Sequence, residues 1–213
     1  MTRELLEMYR NKKHGIRKRL EEFRTTLNKP DEKIFSELVF CILTPQSKAT
    51  TSWNAVQSLE RNNLLLKGSI EQIIPFLQAV RFGENKSKYL IEARKLFSEN
   101  GRMEVKKKIS EVGDDPVLLR EWLMKNVKGI GMKEASHFIR NIGLSDNQLA
   151  ILDVHVLKNL REVGVIDELP KYLTKKIYLE LEEKMKNFAK KIGIAQDELD
   201  LLLWSKETGM IFK

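Results

Sequence analysis

Residues 127–138 read Val-Lys-Gly-Ile-Gly-Met-Lys-Glu-Ala-Ser-His-Phe, a short glycine turn between two segments of helical periodicity. Gly129 and Gly131 let the backbone bend sharply and approach a ligand, because they carry no side chain. The first amides of the second helix lack acceptors within that helix, and with the helix dipole they favour an anion. The stretch predicts two helices joined by a phosphate-sized anion site, although a plain turn between helices fits the same pattern.

Two ionisable residues accompany this turn. Lys133 falls in the first turn of the second helix, and Asp153 lies in the apolar run 151–157. A neutral lysine amine is a nucleophile, and desolvation or nearby positive charge favours its neutral form. A carboxylate in apolar surroundings is what the partner of such a lysine would look like. The alternative interpretation is that Asp153 only caps the helix that begins near Val154.

Helical periodicity runs through nearly all of the chain, and no alternation typical of paired strands stands out. Pro45 ends the apolar segment 34–43, since the residue before a proline avoids the helical region. Pro116 suits a first helical turn, and Asp31 and Gly143 are candidates for an N-cap and a C-cap. We therefore predict an all-α fold, with helices near 3–24, 34–43, 47–60, 70–76, 86–98, 116–126, 132–142, 154–162, 169–189 and 196–203.

The charge balance favours an anionic partner. Among 213 residues, Lys plus Arg number 38 and Asp plus Glu number 30, so the net charge is 38 − 30 = +8. Nucleic acid, an anionic membrane and a phosphorylated ligand all fit that sign. The first thirty residues carry a basic run that fits phosphate contacts or a solvated helix face equally well, formed by Arg10, Lys12, Lys13, Arg17, Lys18 and Arg19.

The single cysteine, Cys41, excludes an intramolecular disulfide and any multi-cysteine zinc or iron–sulfur site held by this chain. It stands in an apolar run and is expected to be a small buried hydrophobe in a reducing cytoplasm. The charged first residues predict no signal peptide. No window approaches about 18 consecutive apolar residues, so we expect no transmembrane helix.

The hairpin, Lys133 and the run Leu152-Asp153-Val154-His155 together resemble the helix–hairpin–helix superfamily of DNA glycosylases. The terminal stretch Trp204–Lys213 narrows the resemblance to the type 2 8-oxoguanine DNA glycosylase/AP lyases of archaea and some bacteria. The superfamily hairpin usually begins Leu-Pro-Gly, whereas this chain has Val127-Lys128 before Gly129, a departure that leaves the catalytic positions intact.

The resemblance implies a two-domain architecture with the active site in the interdomain cleft. Residues 1–31 and 133–213 would form one discontinuous helical domain. Residues 32–132 would form a central helical bundle that ends in the hairpin. This split does not follow from the periodicity of the sequence.

The resemblance also implies a bifunctional base-excision enzyme. Lys133 would expel 8-oxoguanine and form a Schiff base with the sugar, after which β-elimination would cut the strand. Asp153 would stabilise positive charge on the sugar. The amides of Gly129, Ile130 and Gly131 would contact a DNA phosphate.

Four further residues receive roles from the resemblance. Gln46 is the candidate wedge that fills the stack after the base flips out, and a loop residue without that role fits equally well. His155 would lie near the DNA backbone or pack as a structural histidine. Trp204 is a candidate stacking wall, and Lys213 would contribute to base recognition. His137 is expected to be structural.

No divalent metal and no iron–sulfur cluster is expected, although the hairpin carbonyls of this superfamily often hold a monovalent cation. The expected partner is double-stranded DNA containing 8-oxoguanine, bound by a monomer in the cytoplasm, in association with the nucleoid. The alternatives are the same chemistry on a different damaged base, a non-catalytic helix–hairpin–helix DNA-binding module, and a basic protein-interaction domain.

Overall fold

A computed structural model describes residues 2–213. In this range the chain folds into twelve α-helices and two single-turn 3-10 helices, and the all-α prediction is confirmed. The helices are α1 Thr2–Arg24, α2 Asp31–Leu43, α3 Ala49–Arg61, α4 Leu64–Lys67, α5 Ile70–Ile73, α6 Gly83–Leu96, α7 Val105–Val112, α8 Pro116–Asn126, α9 Met132–Asn141, α10 Val154–Glu162, α11 Lys175–Ile192 and α12 Gln196–Thr208. The 3-10 turns are Thr26–Asn28 and Ile74–Leu77.

Several sequence predictions need correction. Thr44, the residue before Pro45, has φ of −70° and ψ of −31° and so does not avoid the helical region. The predicted helix 70–76 is α-helical only over Ile70–Ile73 and continues as the 3-10 turn Ile74–Leu77. The expected helix at 169–189 begins only at Lys175, where Thr174 caps it with its hydroxyl. Asp31 is not an N-cap: α2 begins at Asp31, and the carboxylate accepts the amide of Lys106 at 2.7 Å instead. A minimal antiparallel ladder also exists, in which Ser98–Glu99 pairs with Arg102–Met103.

The hydrophobic interior consists of two clusters. One is built mainly from α2, α3, α6 and the helices up to α9, and its largest members include Phe35, Phe40 and Phe138. The other is built from α1, Met132 and the segments from Ala150 onward, and Tyr178 is a large, fully buried member. Helix α9 contributes to both clusters, through Met132 to the second and through Phe138 to the first. The predicted boundaries at 31 and 132 remain a prediction.

Helix α1 packs through apolar residues repeated at about one-turn spacing, among them Leu5, Tyr9 and Ile16. Three of the six residues of its predicted basic run, Lys12, Arg17 and Arg19, bind acceptors in the C-terminal part of the chain, although Arg17 stays exposed. Lys12 donates to the carbonyl of Ser205 at 3.0 Å, and Arg17 pairs with Glu198 at 2.8 Å. The run therefore anchors the C-terminal part of the fold. None of the helices formed by residues 2–213 is long and apolar enough to cross a membrane.

Candidate active site

A large cavity of about 1070 Å³ opens beside the N-terminus of α9. Its lining comes from the loop after α2, from α9, from the segment that leads into α10, and from α12 with the chain end. These parts are far apart in the sequence, and only tertiary folding brings them together. Six of the predicted site residues line the large cavity, namely Gln46, Lys133, Asp153, His155, Trp204 and Lys213, whereas the predicted phosphate-binding residues 129–131 do not.

The glycine turn lies between α8 and α9, as predicted. Gly129 has a φ of 84°, and a Cβ at this position would approach the ring of Tyr89 to 2.5 Å, so glycine is required for two reasons. Two of the three hairpin amides have acceptors in the chain. Ile130 donates to the Val127 carbonyl at 3.4 Å, and Gly131 donates to Glu134 Oε2 at 3.2 Å. Both bonds are long, so a phosphate can compete for these donors.

Lys133 stands in the first turn of α9, and its side chain is about one quarter exposed. Its Nζ lies 3.0 Å from Glu134 Oε1, while the other oxygen of Glu134 takes the Gly131 amide. Glu134 therefore ties the lysine to the hairpin. The ammonium is reachable from the large cavity but is held in place at its edge.

Asp153 caps α10 and also lines the large cavity. Its Oδ1 accepts the amides of His155 at 2.9 Å and Val156 at 2.8 Å. Asp153 thus caps the helix, as one interpretation of the sequence predicted, and is also positioned at the cavity, as the other interpretation requires. The cap fixes the carboxylate at the start of a helix, where the macrodipole stabilises negative charge.

A buried network fixes the backbone just before Asp153. The Tyr178 hydroxyl donates to the Ala150 carbonyl at 2.6 Å and accepts the Leu152 amide at 3.2 Å. Glu182 accepts the Ala150 amide at 2.7 Å and forms a two-bond ion pair with Arg120 at 2.7 and 3.0 Å. The segment that carries Asp153 is therefore held by side chains of α8 and α11.

Two buried ionisable residues, Arg140 and Asp200, line the large cavity. Arg140 and Asp200 pair at 2.9 Å, and both side chains are almost fully buried. Burial raises the pKa of Asp200 to about 7, with Asp153 adding to the rise and Arg140 opposing it. Burial likewise lowers the pKa of His137 well below its ordinary value, with Arg140 acting in the same direction. His137 is therefore a neutral packing residue, edge-on to Phe40.

The chain end is buried in the same cavity. Lys213 is 6% exposed, its ammonium pairs with Glu37, and it lies 3.6 Å from the centre of the Trp53 ring. Phe212 stacks on Trp204 with a centroid separation of 6.4 Å, and Arg19 of α1 donates to its carbonyl. The C-terminal residues are thus held in place by both charge and packing.

Comparison with known proteins identifies the family. The model of the 8-oxoguanine DNA glycosylase family matches residues 16–194. The chain belongs to this family. A Fusobacterium nucleatum protein named 8-oxoguanine DNA glycosylase/AP lyase is 46% identical over 211 residues, which cover 99% of this chain and 96% of that protein.

Solved structures of family members share this fold. The Methanocaldococcus jannaschii 8-oxoguanine glycosylase/lyase in complex with a 15mer DNA containing 8-oxoguanine superposes with a TM-score of 0.87 at 33% identity. That match covers 100% of this chain and 99% of the other. The Thermotoga maritima 8-oxoguanine DNA glycosylase gives a TM-score of 0.86, also at 33% identity, over 100% of this chain and 98% of that one.

The site of this glycosylase contains buried partners that sequence reasoning missed. Glu37 and Trp53 contact the Lys213 ammonium. In the sequence, nothing distinguishes Glu37 from any charged helix residue or Trp53 from a core residue. Lys86 is buried beside the loop 44–48 although its neighbourhood in the sequence is strongly polar. Among residues 2–213 there is no cluster of three or more His, Cys, Asp or Glu side chains able to hold a metal ion.

Proposed function

We propose that this chain excises 8-oxoguanine from duplex DNA and then cleaves the strand, with Lys133 as the nucleophile. The observation that carries this proposal is that Lys133 and Asp153, 20 residues apart in the sequence, line one large cavity. Membership of the family supports the choice of lesion. The similar proteins of Fusobacterium nucleatum and Korarchaeum cryptofilum are named for both activities, glycosylase and AP lyase.

The proposed reaction begins with a neutral Lys133 amine. Its Nζ attacks C1′ of the flipped nucleotide, the bond from C1′ to the base nitrogen breaks, and the departing base takes up the proton that the Lys133 ammonium released on becoming neutral. One Nζ proton then passes to the ring oxygen O4′, the bond from C1′ to O4′ breaks, and the sugar ring opens to an iminium ion that joins C1′ to Nζ. Loss of a 2′ proton breaks the bond from C3′ to its oxygen, and the strand separates on the 3′ side of the lesion. Because Lys133 rests against Glu134 as an ion pair at 3.0 Å, substrate binding must free the amine first.

Asp153 is proposed to stabilise positive charge on the sugar. One carboxylate oxygen is committed to two helix amides, so the group cannot rotate away from the large cavity. A fixed charge of this kind costs no reorganisation when the transition state forms. His155, in the first turn of α10, is half-buried on the wall of the same cavity and is proposed to contact the DNA backbone.

Base recognition is assigned to the chain end. Trp204 offers a partly exposed ring as a stacking surface, and Lys213 brings a buried ammonium to the same space. Gln46 is exposed in a left-handed conformation with φ of 56°, and it is proposed to enter the stack when the base leaves. Gly129, Ile130 and Gly131 would bind a phosphate, and a monovalent cation at their carbonyls is part of the proposal.

Trapping with borohydride tests the central step. The protein is incubated with duplex DNA that carries one 8-oxoguanine, reduced, and examined on a denaturing gel. Wild type should give a covalent adduct and Lys133→Gln none, whereas Lys171→Gln, at another lysine of the large cavity, should still give it. An adduct that persists in Lys133→Gln would assign the chemistry to a different nucleophile.

Two other outcomes separate the alternatives. Tight DNA binding without an adduct would favour a different damaged base, tested next with a panel of lesions, or a non-catalytic binding module. Absence of salt-sensitive DNA affinity would favour a protein-interaction domain, since phosphate contacts make affinity fall steeply with salt. A monomer acting on nucleoid DNA in the cytoplasm completes the proposal, because one flipped base requires one chain.

A further inference from the structure

We propose that Lys86 is a positioning residue, whose buried ammonium holds the loop 44–48 in the shape that allows Gln46 to enter the DNA stack. This inference rests on the proposed function, because it concerns how the same site opens its substrate. Lys86 does not line the large cavity, so it acts through the loop.

The contacts of Lys86 bracket Gln46 on both sides. Its Nζ donates to the carbonyl of Leu43 at 2.8 Å, to that of Pro45 at 2.7 Å and to the Ser47 hydroxyl at 3.3 Å. The three donors of the ammonium therefore have three acceptors within one short turn. No pair of Lys86 with a carboxylate lies within ion-pair distance among residues 2–213.

Burying an ammonium without a carboxylate partner costs free energy, which the hydrogen bonds to the loop must offset. Lys86 is only 4% exposed, and burial lowers its pKa to about 8, with Lys133 acting in the same direction and Glu134 opposing it. The first of its acceptors, Leu43, is the last residue of α2, where the unpaired helix carbonyls and the negative dipole end attract a cation. The loop thus supplies the stabilisation that a carboxylate would otherwise provide.

The loop needs this support because of its backbone. Gln46 has a φ of 56°, a conformation that costs a residue other than glycine free energy. The Ser47 hydroxyl also accepts the Arg81 amide at 2.9 Å, and the Lys86 amide donates to the Phe82 carbonyl at 3.0 Å. Lys86 therefore locks the turn of Gln46 against the first turn of α6.

Arg94 provides a matched control on the same helix. Its guanidinium also binds three backbone carbonyls of one turn, those of Leu64, Leu65 and Gly68, at 2.8 to 3.0 Å. That turn does not line the large cavity. Arg94→Met therefore removes the same type of contact, and the stability that this contact gives the protein, but leaves the loop of Gln46 unchanged.

The experiment compares Lys86→Met with Arg94→Met by two readouts. Base flipping is followed by the fluorescence of 2-aminopurine placed beside the lesion in duplex DNA, and excision of 8-oxoguanine is measured in single turnovers at saturating protein. Lys86→Met should slow excision between about tenfold and a hundredfold and reduce the fluorescence change, since a displaced group of this kind costs such factors. Arg94→Met should leave both readouts near wild type, and Lys86→Arg should restore part of the loss.

A double variant tests whether Lys86 acts through Gln46. Gln46→Ala alone should slow excision, and adding Lys86→Met should cost less than about twofold more, because coupled residues are not additive. Independent, multiplying effects, or equal losses in Lys86→Met and Arg94→Met, would overturn the proposal. If Lys86→Met does not fold, Ser47→Ala removes one acceptor and should give a smaller loss of the same kind.

The two readouts keep this proposal distinct from the proposed function. Fluorescence reports flipping without chemistry, so a wild-type protein that flips the base and forms no adduct would overturn the assigned reaction and still test Lys86. A wild-type protein that binds no DNA would overturn both.

Discussion

Asp153 and Asp115 each cap a helix in the same way, so variants of the two can distinguish a capping role from a catalytic role. Asp115 caps α8 by accepting the amides of Val117 and Leu118 at 2.7 and 3.3 Å, and it lies outside the large cavity. An asparagine oxygen can make the same cap, so each Asp→Asn change should alter the free energy of unfolding by under about 1 kcal/mol.

The two variants should differ in activity. Asp153→Asn removes the charge proposed to stabilise the sugar cation and should slow single-turnover excision by about a hundredfold or more, as loss of an electrostatic group in an active site does. Asp115→Asn should excise at the wild-type rate. Equal rates for both variants would restrict Asp153 to the capping role.

Asp200 gives the site a pH dependence that can be measured as stability. Its pKa of about 7 in the folded state lies above the ordinary value of 3.8, so between these values the folded protein holds a proton that the unfolded chain has lost. The free energy of unfolding contributed by this group therefore falls as the pH rises from about 4 to about 7.

Asp200→Asn should remove that fall. Urea denaturation at pH 5 and pH 8 measures it as the change in unfolding free energy between the two pH values in each protein. The neutral His137 acts in the opposite direction but is common to both proteins. The constant cost of leaving Arg140 without its partner also cancels in this comparison. Parallel changes in wild type and variant would contradict the assignment.

Lys133 and Asp153 could be predicted from the sequence because local patterns indicate them: a glycine turn precedes Lys133, and an apolar run surrounds Asp153. Lys86 and Glu37 carry no such mark. The partners of Lys86 lie 39 to 43 residues away along the chain and that of Glu37 lies 176 residues away, so their burial is a product of tertiary packing alone. A role of Lys213 in base recognition was expected only through resemblance, and its burial was not predicted, since chain ends are usually loosely held.

At the scale of elements, periodicity predicted the helices well where caps agree with it. Helix α10 spans 154–162 as predicted, and α9 ends one residue before the prediction. Gly143, with φ of 79°, follows its C-cap, and the amide of Leu144 returns to the Ile139 carbonyl as in a Schellman motif. The segment 169–174 was wrongly assigned to α11 because its apolar residues match the helical spacing, whereas α11 begins only after Thr174, whose hydroxyl accepts the Ile177 amide as an N-cap.

Helices α8 and α11 are joined by two ion pairs of very different burial. Arg120 and Glu182 are buried, whereas Lys175 and Glu121 pair at 2.7 Å with half-exposed side chains. Arg120→Met should lower the free energy of unfolding by about 3–5 kcal/mol, because it leaves the Glu182 charge buried without its partner. Lys175→Met should cost under about 1 kcal/mol.

Urea unfolding of the two variants measures this difference. Arg120→Met should also slow excision, because Glu182 holds the backbone at Ala150 that leads to Asp153. Similar losses in both variants would mean that the buried pair contributes no more than a surface pair.

At the scale of the molecule, the chain end connects the two hydrophobic clusters. Phe212 packs edge-on against Phe40 of the first cluster and stacks on Trp204, which lies in α12. Lys213 reaches Glu37 on α2, 176 residues away in sequence. Of these residues, Trp204 and Lys213 line the large cavity, so the chain end contributes a cation to its wall.

This arrangement predicts that Lys213 matters for reading the base and not for cutting an abasic site. Lys213→Met removes the ammonium, and the loss of a charged hydrogen bond should slow excision of 8-oxoguanine by about tenfold to a hundredfold. A preformed abasic site has no base to read, so strand cleavage there should stay within about twofold of wild type, as only an interaction specific to the first step is lost. Measuring both substrates with one protein preparation makes the abasic duplex the internal control. Equal losses on both would instead mean that Lys213 shapes the large cavity as a whole, through Glu37 and Trp53.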